Sequence, residues 1–214
     1  LYAGGYFGSA GGEGVSYIAE WDGHSWSGLT GTDGTGTNGW VFALHPGQVG
    51  SAGVLFVGGS FSSAGGLEVN RAARWGGGSW GALPGFWQAG VGGTVYALAV
   101  YDDGSGPALV AGGSFLEAGG RPAHFIARWR DGDWSALGGI TGEGLSDQVY
   151  ALAVFDDGNG PALYVGGEFY RAGTLEVNHV ARWDGTSWSA LPGPTSTGVD
   201  ASVRALAVYD NGAG

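Results

Sequence analysis

The chain has no cysteine among its 214 residues. Disulfide bonds, thiolate metal sites and a cysteine nucleophile are therefore excluded. Lysine is missing as well, and eight arginines stand against 19 acidic residues, which gives a formal net charge of −11. Because clustered cations provide the attraction to phosphate backbones and anionic membrane surfaces, this balance argues against nucleic acid as a partner.

Long apolar runs are missing too. No segment approaches the about 20 apolar residues of a membrane-spanning helix, so no membrane insertion is expected. The first residue, Leu1, is neither a methionine nor part of a charged and then apolar signal region. Such a start is expected of a processed, excised or tag-trimmed chain.

Glycine is abundant, with 48 residues, and it is accompanied by ten tryptophans, nine tyrosines and nine phenylalanines. Disordered glycine-rich polymers generally lack such aromatic content, so these glycines are expected to punctuate a folded chain. A length of 214 residues fits one domain of ordinary size. We therefore predict a single domain over residues 1–214.

One motif recurs every 54 residues. A glycine pair marks it at Gly4-Gly5, Gly58-Gly59, Gly112-Gly113 and Gly166-Gly167. A first tryptophan follows at Trp21, Trp75, Trp129 and Trp183, and a second at Trp26, Trp80, Trp134 and Trp188. Four copies without an insertion form an internal alignment, which indicates a repeat architecture.

Each repeat predicts four short strands. In the last complete copy they fall at 149–155, 162–169, 179–183 and 188–191. Tight turns rich in Asp and Gly join the first to the second strand and the third to the fourth, and no segment has room for a helix. We predict an all-β fold, a β-propeller of four 54-residue, four-stranded blades.

The two ends of the chain complement each other in this alignment. Leu1 aligns with Leu163, so residues 1–7 lack the first strand of their blade, and residues 203–209 have its sequence. We predict that the N- and C-terminal strands pair and close the ring, with the first blade split between the termini. A monomer follows from that closure. Two alternatives remain open: a homodimer whose chains share one eight-bladed ring, and a piece of a longer array.

The segment Leu163-Tyr164-Val165-Gly166-Gly167, followed by Trp183 and Trp188, resembles the kelch repeat. It is also similar to the kelch-like propeller repeats of the fungal cortical polarity marker family and of bacterial surface proteins. The resemblance implies the propeller fold. We expect no cofactor and an extracellular or cell-surface location. Function stays open, because kelch-like propellers include enzymes, actin binders, ubiquitin-ligase adaptors and surface proteins.

Aromatic residues supply the first candidate contacts for a ligand. The eight repeated tryptophans are expected to pack between blades, with a repeated sugar-stacking platform as the alternative. Trp40, Phe86 and Trp87 break the repeat and lie in long connections, where a rigid scaffold usually carries function. They are therefore candidate ligand contacts, although folding back onto a blade edge is an equal alternative.

Polar residues after the glycine pairs form a second candidate group. Tyr6 and Glu168 follow their pairs directly, and Glu117 and Arg171 lie three residues beyond the equivalent positions. We expect these four to lie on a rim around the axial opening, with Glu117 and Arg171 as a charge pair beside a shallow pocket. A merely solvated rim is the simpler interpretation.

The doublets Asp102-Asp103 and Asp156-Asp157, with Asp210-Asn211, could suggest calcium. Aspartate is also favoured in turns, because its side chain accepts hydrogen bonds from nearby backbone donors. Each turn offers two carboxylates and lacks a later bidentate glutamate. We predict turns and no metal site.

No catalytic residue is predicted, since the four histidines are scattered and no nucleophile–base grouping can be proposed. We predict a non-enzymatic binding module, with carbohydrate as the first ligand class and protein as another. The alternative is a structural repeat or an engineered symmetric scaffold without a small-molecule ligand. A glycoside-active enzyme using Glu117 and Glu168 is the third hypothesis.

Overall fold

The computed structural model describes residues 1–31, 34–138 and 144–209, and these contain β-strands and no helix. Each of the four repeats forms one antiparallel main sheet. The strands are numbered along the chain. The first sheet has three strands, β1 (Tyr2–Gly4), β4 (Ile18–Trp21) and β5 (Trp26–Gly28).

The other three main sheets have four strands each, paired in chain order. The second sheet contains β6 (Val41–Val49), β7 (Ala52–Gly59), β10 (Ala72–Gly76) and β11 (Ser79–Ala82). The third contains β12 (Val95–Asp102), β13 (Pro107–Gly113), β16 (Ile126–Arg130) and β17 (Asp133–Ala136). The fourth contains β18 (Val149–Asp156), β19 (Pro161–Gly167), β22 (Val180–Trp183) and β23 (Trp188–Ala190). The predicted all-β fold and the predicted strand order are confirmed.

A small hairpin, which the sequence did not predict, interrupts each repeat between its second and third main strands. The hairpins pair β2 (Ser9–Ala10) with β3 (Glu13–Gly14), β8 (Ser63–Ala64) with β9 (Leu67–Glu68), β14 (Glu117–Ala118) with β15 (Arg121–Pro122), and β20 (Arg171–Ala172) with β21 (Leu175–Glu176). Isolated bridges join the connection before each new repeat to the hairpin of that repeat, as between Thr37 and Ala64. The long connections are thereby tied to the sheets.

Successive sheets meet through a glycine. The first glycine of each pair lies against a valine of the following repeat: Gly4 against Val41, Gly58 against Val95, Gly112 against Val149, and Gly166 against Val203. A Cβ atom placed on Gly58 would lie 2.5 Å from the Cγ1 atom of Val95, closer than real contacts allow. Val95 and Val149 are fully buried. The glycine is therefore required by the packing of one repeat on the next.

In three repeats the rings of the two repeated tryptophans are in contact. In the last repeat the ring centroids of Trp183 and Trp188 are 5.0 Å apart. Trp134 is completely buried and donates its indole N–H to the carbonyl of Leu83 in the preceding repeat at 3.1 Å. Trp80 makes the same bond to Leu29 at 3.1 Å. These second tryptophans therefore connect repeats by hydrogen bonds as well as by apolar contact.

The predicted ring closure is not observed. Within the described residues β1 pairs with β4 alone, and residues 203–209 form no strand. The N–H of Val203 donates to the carbonyl of Gly167 at 3.0 Å, as the N–H of Val41 does to the carbonyl of Gly5 at 3.4 Å. The same valine–glycine contact that joins the other repeats holds Val203 against the fourth sheet. The completion of the first blade by the C-terminal strand therefore stays a prediction.

The aspartate doublets act as turn residues. The Oδ1 atom of Asp102 accepts hydrogen bonds from the N–H groups of Gly104 and Gly106 at 2.8 and 2.9 Å. Asp156 accepts the equivalent bonds from Gly158 and Gly160 at 2.9 and 3.0 Å. The predicted role in turns is confirmed for both doublets, whereas Asp210-Asn211 lies outside the described residues.

The second aspartate of each doublet pairs with arginine on the third main strand of its own sheet. The carboxylate of Asp103, which is 9% exposed, contacts both Arg128 and Arg130, the latter at 2.9 Å. Burial raises the pKa of Asp103, but hydrogen bonds from Ser105 and Arg130 lower it by more than burial raises it. The pKa of Asp103 therefore lies well below its usual range. Asp157 has one arginine partner, Arg182, at 3.4 Å, and its side chain is 30% exposed.

We expect Gly58→Ala to lower the free energy of unfolding by about 1–3 kcal/mol, because the added methyl group overlaps the buried Val95. Gly53→Ala is the matched control, since Gly53 lies in the same strand and a Cβ atom there would meet nothing within 4 Å. Urea denaturation of both variants measures the difference. Equal midpoints for the two variants would contradict the role of the glycine in packing.

We expect Asp103→Asn to lower the free energy of unfolding by about 2 kcal/mol at pH 7, because two arginines lose their charged acceptor. A carboxyl whose pKa is depressed in the folded state stabilises above its unfolded pKa of about 3.9, and this contribution is lost as the pH falls through the folded value. The gap between the variant and the unmodified chain should therefore be constant above about pH 5 and shrink below about pH 4.

Asp157→Asn is the control for Asp103→Asn. Its carboxylate is more exposed and has a single arginine partner, so a smaller effect is expected. Thermal or urea unfolding between pH 3 and pH 7 measures both variants. A loss of stability in Asp103→Asn that grows on acidification would show that the carboxylate of Asp103 does not stabilise the fold through its charge.

Candidate functional site

A β-bulge recurs at the start of the first strand in three sheets. In β6 Val41 lies opposite Gly59 and Ala43 opposite Gly58, so Phe42 has no partner in the ladder. The same shift occurs in β12 and β18 and leaves Tyr96 and Tyr150 unpaired. Bulges redirect a side chain away from the regular alternation of a strand. Each bulge here presents one aromatic side chain.

The three bulge residues are in contact with one another across the sheets. The ring centroids of Phe42 and Tyr96 are 5.5 Å apart, and those of Tyr96 and Tyr150 are 5.3 Å apart. Phe42 is 44% exposed, and both tyrosines are half-buried. Aromatic side chains from three successive repeats therefore form a continuous row on one surface.

Three further aromatic residues extend the row at the end nearest the N-terminus. Trp40 lies 5.9 Å from Phe42 between ring centroids, and Tyr6 lies 4.8 Å from Trp40. Tyr17 stacks on Tyr6 at 6.3 Å with an angle of 20° between the rings. Tyr6 is 75% exposed and Trp40 46% exposed. We name the six residues the aromatic row: Tyr6, Tyr17, Trp40, Phe42, Tyr96 and Tyr150.

A charged pair ends the row on the other side. The guanidinium of Arg204 lies 4.0 Å from the ring centroid of Tyr150 and donates to the carboxylate of Glu168 at 3.1 Å. Arg204 is the counterpart of Phe42, Tyr96 and Tyr150 in the 54-residue alignment. Burial, followed by hydrogen bonding to Glu168, raises the pKa of Tyr150 above its ordinary value, so its phenol stays protonated near neutral pH.

Backbone conformation places Tyr17 at its position. Its φ angle is 64°, in the left-handed region that bulky residues rarely adopt. Its N–H donates to the carbonyl of Phe7 at 3.0 Å, and its carbonyl accepts from the N–H of Gly5 at 2.9 Å. Equivalent residues in the other repeats, Arg71, Phe125 and His179, have φ angles between 65° and 68°. The conformation is therefore a feature of the repeat, held by two backbone hydrogen bonds.

The structure brings three of the seven predicted contact residues together. Tyr6 and Trp40 lie in the aromatic row, and Glu168 is joined to it through Arg204. Phe86 and Trp87 lie elsewhere: they are 4.8 Å apart, and Arg121 covers the Phe86 ring at 4.6 Å. Phe86 is 61% exposed and Trp87 71% exposed, so neither is folded into the sheet.

The predicted charge pair between Glu117 and Arg171 is not formed. Arg171 contacts Glu176 across its own hairpin at 3.6 Å, and Glu117 accepts a hydrogen bond from Gln88 at 3.3 Å. Both predicted partners are exposed. The hairpin that the sequence did not predict supplies Arg171 with a nearer carboxylate, which is why the pair fails.

Four members of the aromatic row were missed in the sequence. Phe42, Tyr96 and Tyr150 fall inside apolar runs that predict ordinary strands. The bulge that turns these side chains outward has no signal in the sequence. Their recurrence at a 54-residue spacing, with arginine in the fourth copy, was the available clue. Tyr17 shares its position with Arg71, Phe125 and His179, so it shows no aromatic repeat.

Comparisons with protein-family models, with curated proteins and with solved structures found no match. Among the residues that the structure describes, no group of three or more His, Asp or Glu side chains could hold a metal ion. The same residues include no helix long and apolar enough to cross a membrane.

Proposed function

We propose that the chain is a kelch-like β-propeller module that binds carbohydrate, without catalysis, on the aromatic row. Repeated four-stranded antiparallel sheets, each packed on the next through a glycine, support the propeller. The observation that carries the binding function is the unbroken contact from Tyr6 to Tyr150 on an accessible surface. An extracellular or cell-surface location would suit such a module.

The chemistry of the row favours a neutral sugar chain. Aromatic faces bind apolar C–H surfaces by dispersion and burial, and a sugar ring offers such a surface while its hydroxyl groups remain in water. Successive rings, with centroids 4.8–5.9 Å apart, present a repeated contact to an extended polymer. The net charge of −11 disfavours an anionic polymer.

Glu168 and Arg204 add polar groups at one end of this surface. A carboxylate and a guanidinium can accept and donate hydrogen bonds to hydroxyl groups, and such convergent polar groups fix the orientation of a ligand. The two side chains are 35% and 65% exposed and are therefore accessible. We assign Glu168 to ligand orientation.

A glycan array probed with the purified chain tests the proposal. We expect binding to neutral oligosaccharides, and a loss of about tenfold in affinity for Trp40→Ala and for Phe42→Ala, because each removes one stacking surface from the row. Isothermal titration with the best oligosaccharide on the array measures the affinities.

Trp87→Ala is the matched control, since it also removes an exposed tryptophan, but one outside the row. It should bind as the unmodified chain does. Circular dichroism checks that all three variants are folded. A silent array, or equal losses in Trp40→Ala and Trp87→Ala, would refute the aromatic row as a sugar site.

A further inference from the structure

A cavity of about 670 Å³ lies between the second and third sheets. The end of β6 and Arg74 line it from the second sheet, and Val100 and Trp129 line it from the third. Gly47, in this lining, lies five residues along β6 from Phe42 of the aromatic row. At the rise of a strand this separation is about 16 Å. The cavity is therefore distinct from the proposed sugar site.

Arg74 brings a positive charge to this cavity without the partner that its counterparts have. Its counterpart in the third repeat is Arg128, which contacts the carboxylate of Asp103 in the turn of the same sheet. The fourth repeat has the same kind of pair. In the second repeat the position of the aspartate is occupied by Val49, which also lines the cavity. In the part of the chain that the structure describes, Arg74 forms no ion pair.

Glycines of the second repeat leave room around this arginine. Three positions that carry larger side chains in the third repeat are glycine in the second: Gly47 for Tyr101, Gly76 for Arg130, and Gly81 for Ser135. Gly81 lies directly opposite Arg74 in the sheet. A Cβ atom on Gly81 would lie 2.7 Å from the Nε atom of Arg74, so the arginine side chain uses the space that a larger residue would fill. The second repeat thus keeps the arginine and lacks the side chains that surround its counterpart.

Apolar residues form the wall of the cavity next to Arg74. The rings of Phe56 and Trp129 meet edge to face, with 6.3 Å between their centroids. Val100 and Pro84 complete this wall. Phe56 lies directly opposite Arg74 in the sheet, so the guanidinium and the apolar surface belong to the same face. The cavity therefore combines one cation with a surface suited to an apolar group.

Two other charged residues line the cavity, and neither neutralises Arg74. The guanidinium of Arg130 donates to the carboxylate of Asp103 at 2.9 Å and to the carbonyl of Gly106 at 2.6 Å, so its donors are already used. Asp131 is exposed to solvent and forms no ion pair with any described residue. Among the described residues that line the cavity, Arg74 is therefore the cation that lacks an acidic partner.

We propose that this cavity binds a small monocarboxylate with an apolar body, of the arylacetate type, through Arg74. The carboxylate of the ligand takes the role that Asp103 has for Arg128, because a planar guanidinium binds a carboxylate through two parallel hydrogen bonds. The apolar body is buried against Phe56 and Trp129. A single negative charge suits the site, since the net charge of −11 opposes polyanions.

Titration of the isotope-labelled chain with phenylacetate, followed by nuclear magnetic resonance, tests the site. We expect saturable shifts at the amides of Gly47, Arg74 and Gly106, which line the cavity or border its arginine. Phenylacetamide has the same shape without the charge and should bind about tenfold more weakly. Equal affinities for the two compounds, no saturable shift, or shifts confined to Trp40 and Phe42 would overturn the proposal.

Arg74→Gln removes the cation and should lower the affinity for phenylacetate about tenfold in the same titration. Arg121→Gln is the matched control, because Arg121 lies in the hairpin β14–β15, outside the cavity lining, and its side chain is 42% exposed. This control should bind phenylacetate as the unmodified chain does. Equal affinities of the two variants would contradict the role of Arg74.

A second pair of variants leaves Arg74 in place. Val49→Asp supplies the carboxylate that the third repeat carries at Asp103, so it should occupy the guanidinium from within and exclude the ligand. Val49→Asn has the same size without the charge and should bind phenylacetate about tenfold more tightly than Val49→Asp. Circular dichroism checks that all variants are folded. Equal binding by the two Val49 variants would refute Arg74 as the anchor, and this outcome is independent of any sugar binding.

Discussion

The fold depends on the contact between a glycine and a valine of the next repeat. Because the first glycine of each pair has no Cβ atom, the valine at the start of the following first strand can approach the sheet and be buried. The contact limits the distance between sheets, and the indole hydrogen bonds of Trp80 and Trp134 join their repeats to the preceding ones. The same contact holds Val203 against Gly166 of the fourth sheet.

The glycine–valine contact also determines where part of the aromatic row lies. Phe42 directly follows Val41 at the bulge, and Tyr96 and Tyr150 follow Val95 and Val149 in the same way. While the valine points into the space between sheets, the bulge turns the next side chain toward its counterparts in adjacent repeats. Stability and the candidate binding surface therefore use neighbouring residues of one strand, and the spacing of the row is set by the spacing of the sheets.

The repeat made much of the fold predictable. The order of the main strands within each sheet and the turn role of Asp102 and Asp156 follow from local pattern and periodicity. The small hairpins could not be predicted, because strands of two residues show no alternation of apolar and polar residues. The bulges were hidden in uniformly apolar runs, and they decided which aromatic residues face outward. The predicted pairing of the two terminal strands is not seen, since β1 pairs with β4 alone among the described residues.

The bulge residues stand outside the hydrogen-bonded ladder, so their side chains can change without altering strand register. The chain illustrates this freedom, since the four aligned positions carry Phe42, Tyr96, Tyr150 and Arg204. Each repeat thus offers one exposed position whose residue can be exchanged. The ligand preference of the candidate binding surface could then change by single substitutions, one in each repeat, while the sheets that space these positions stay the same.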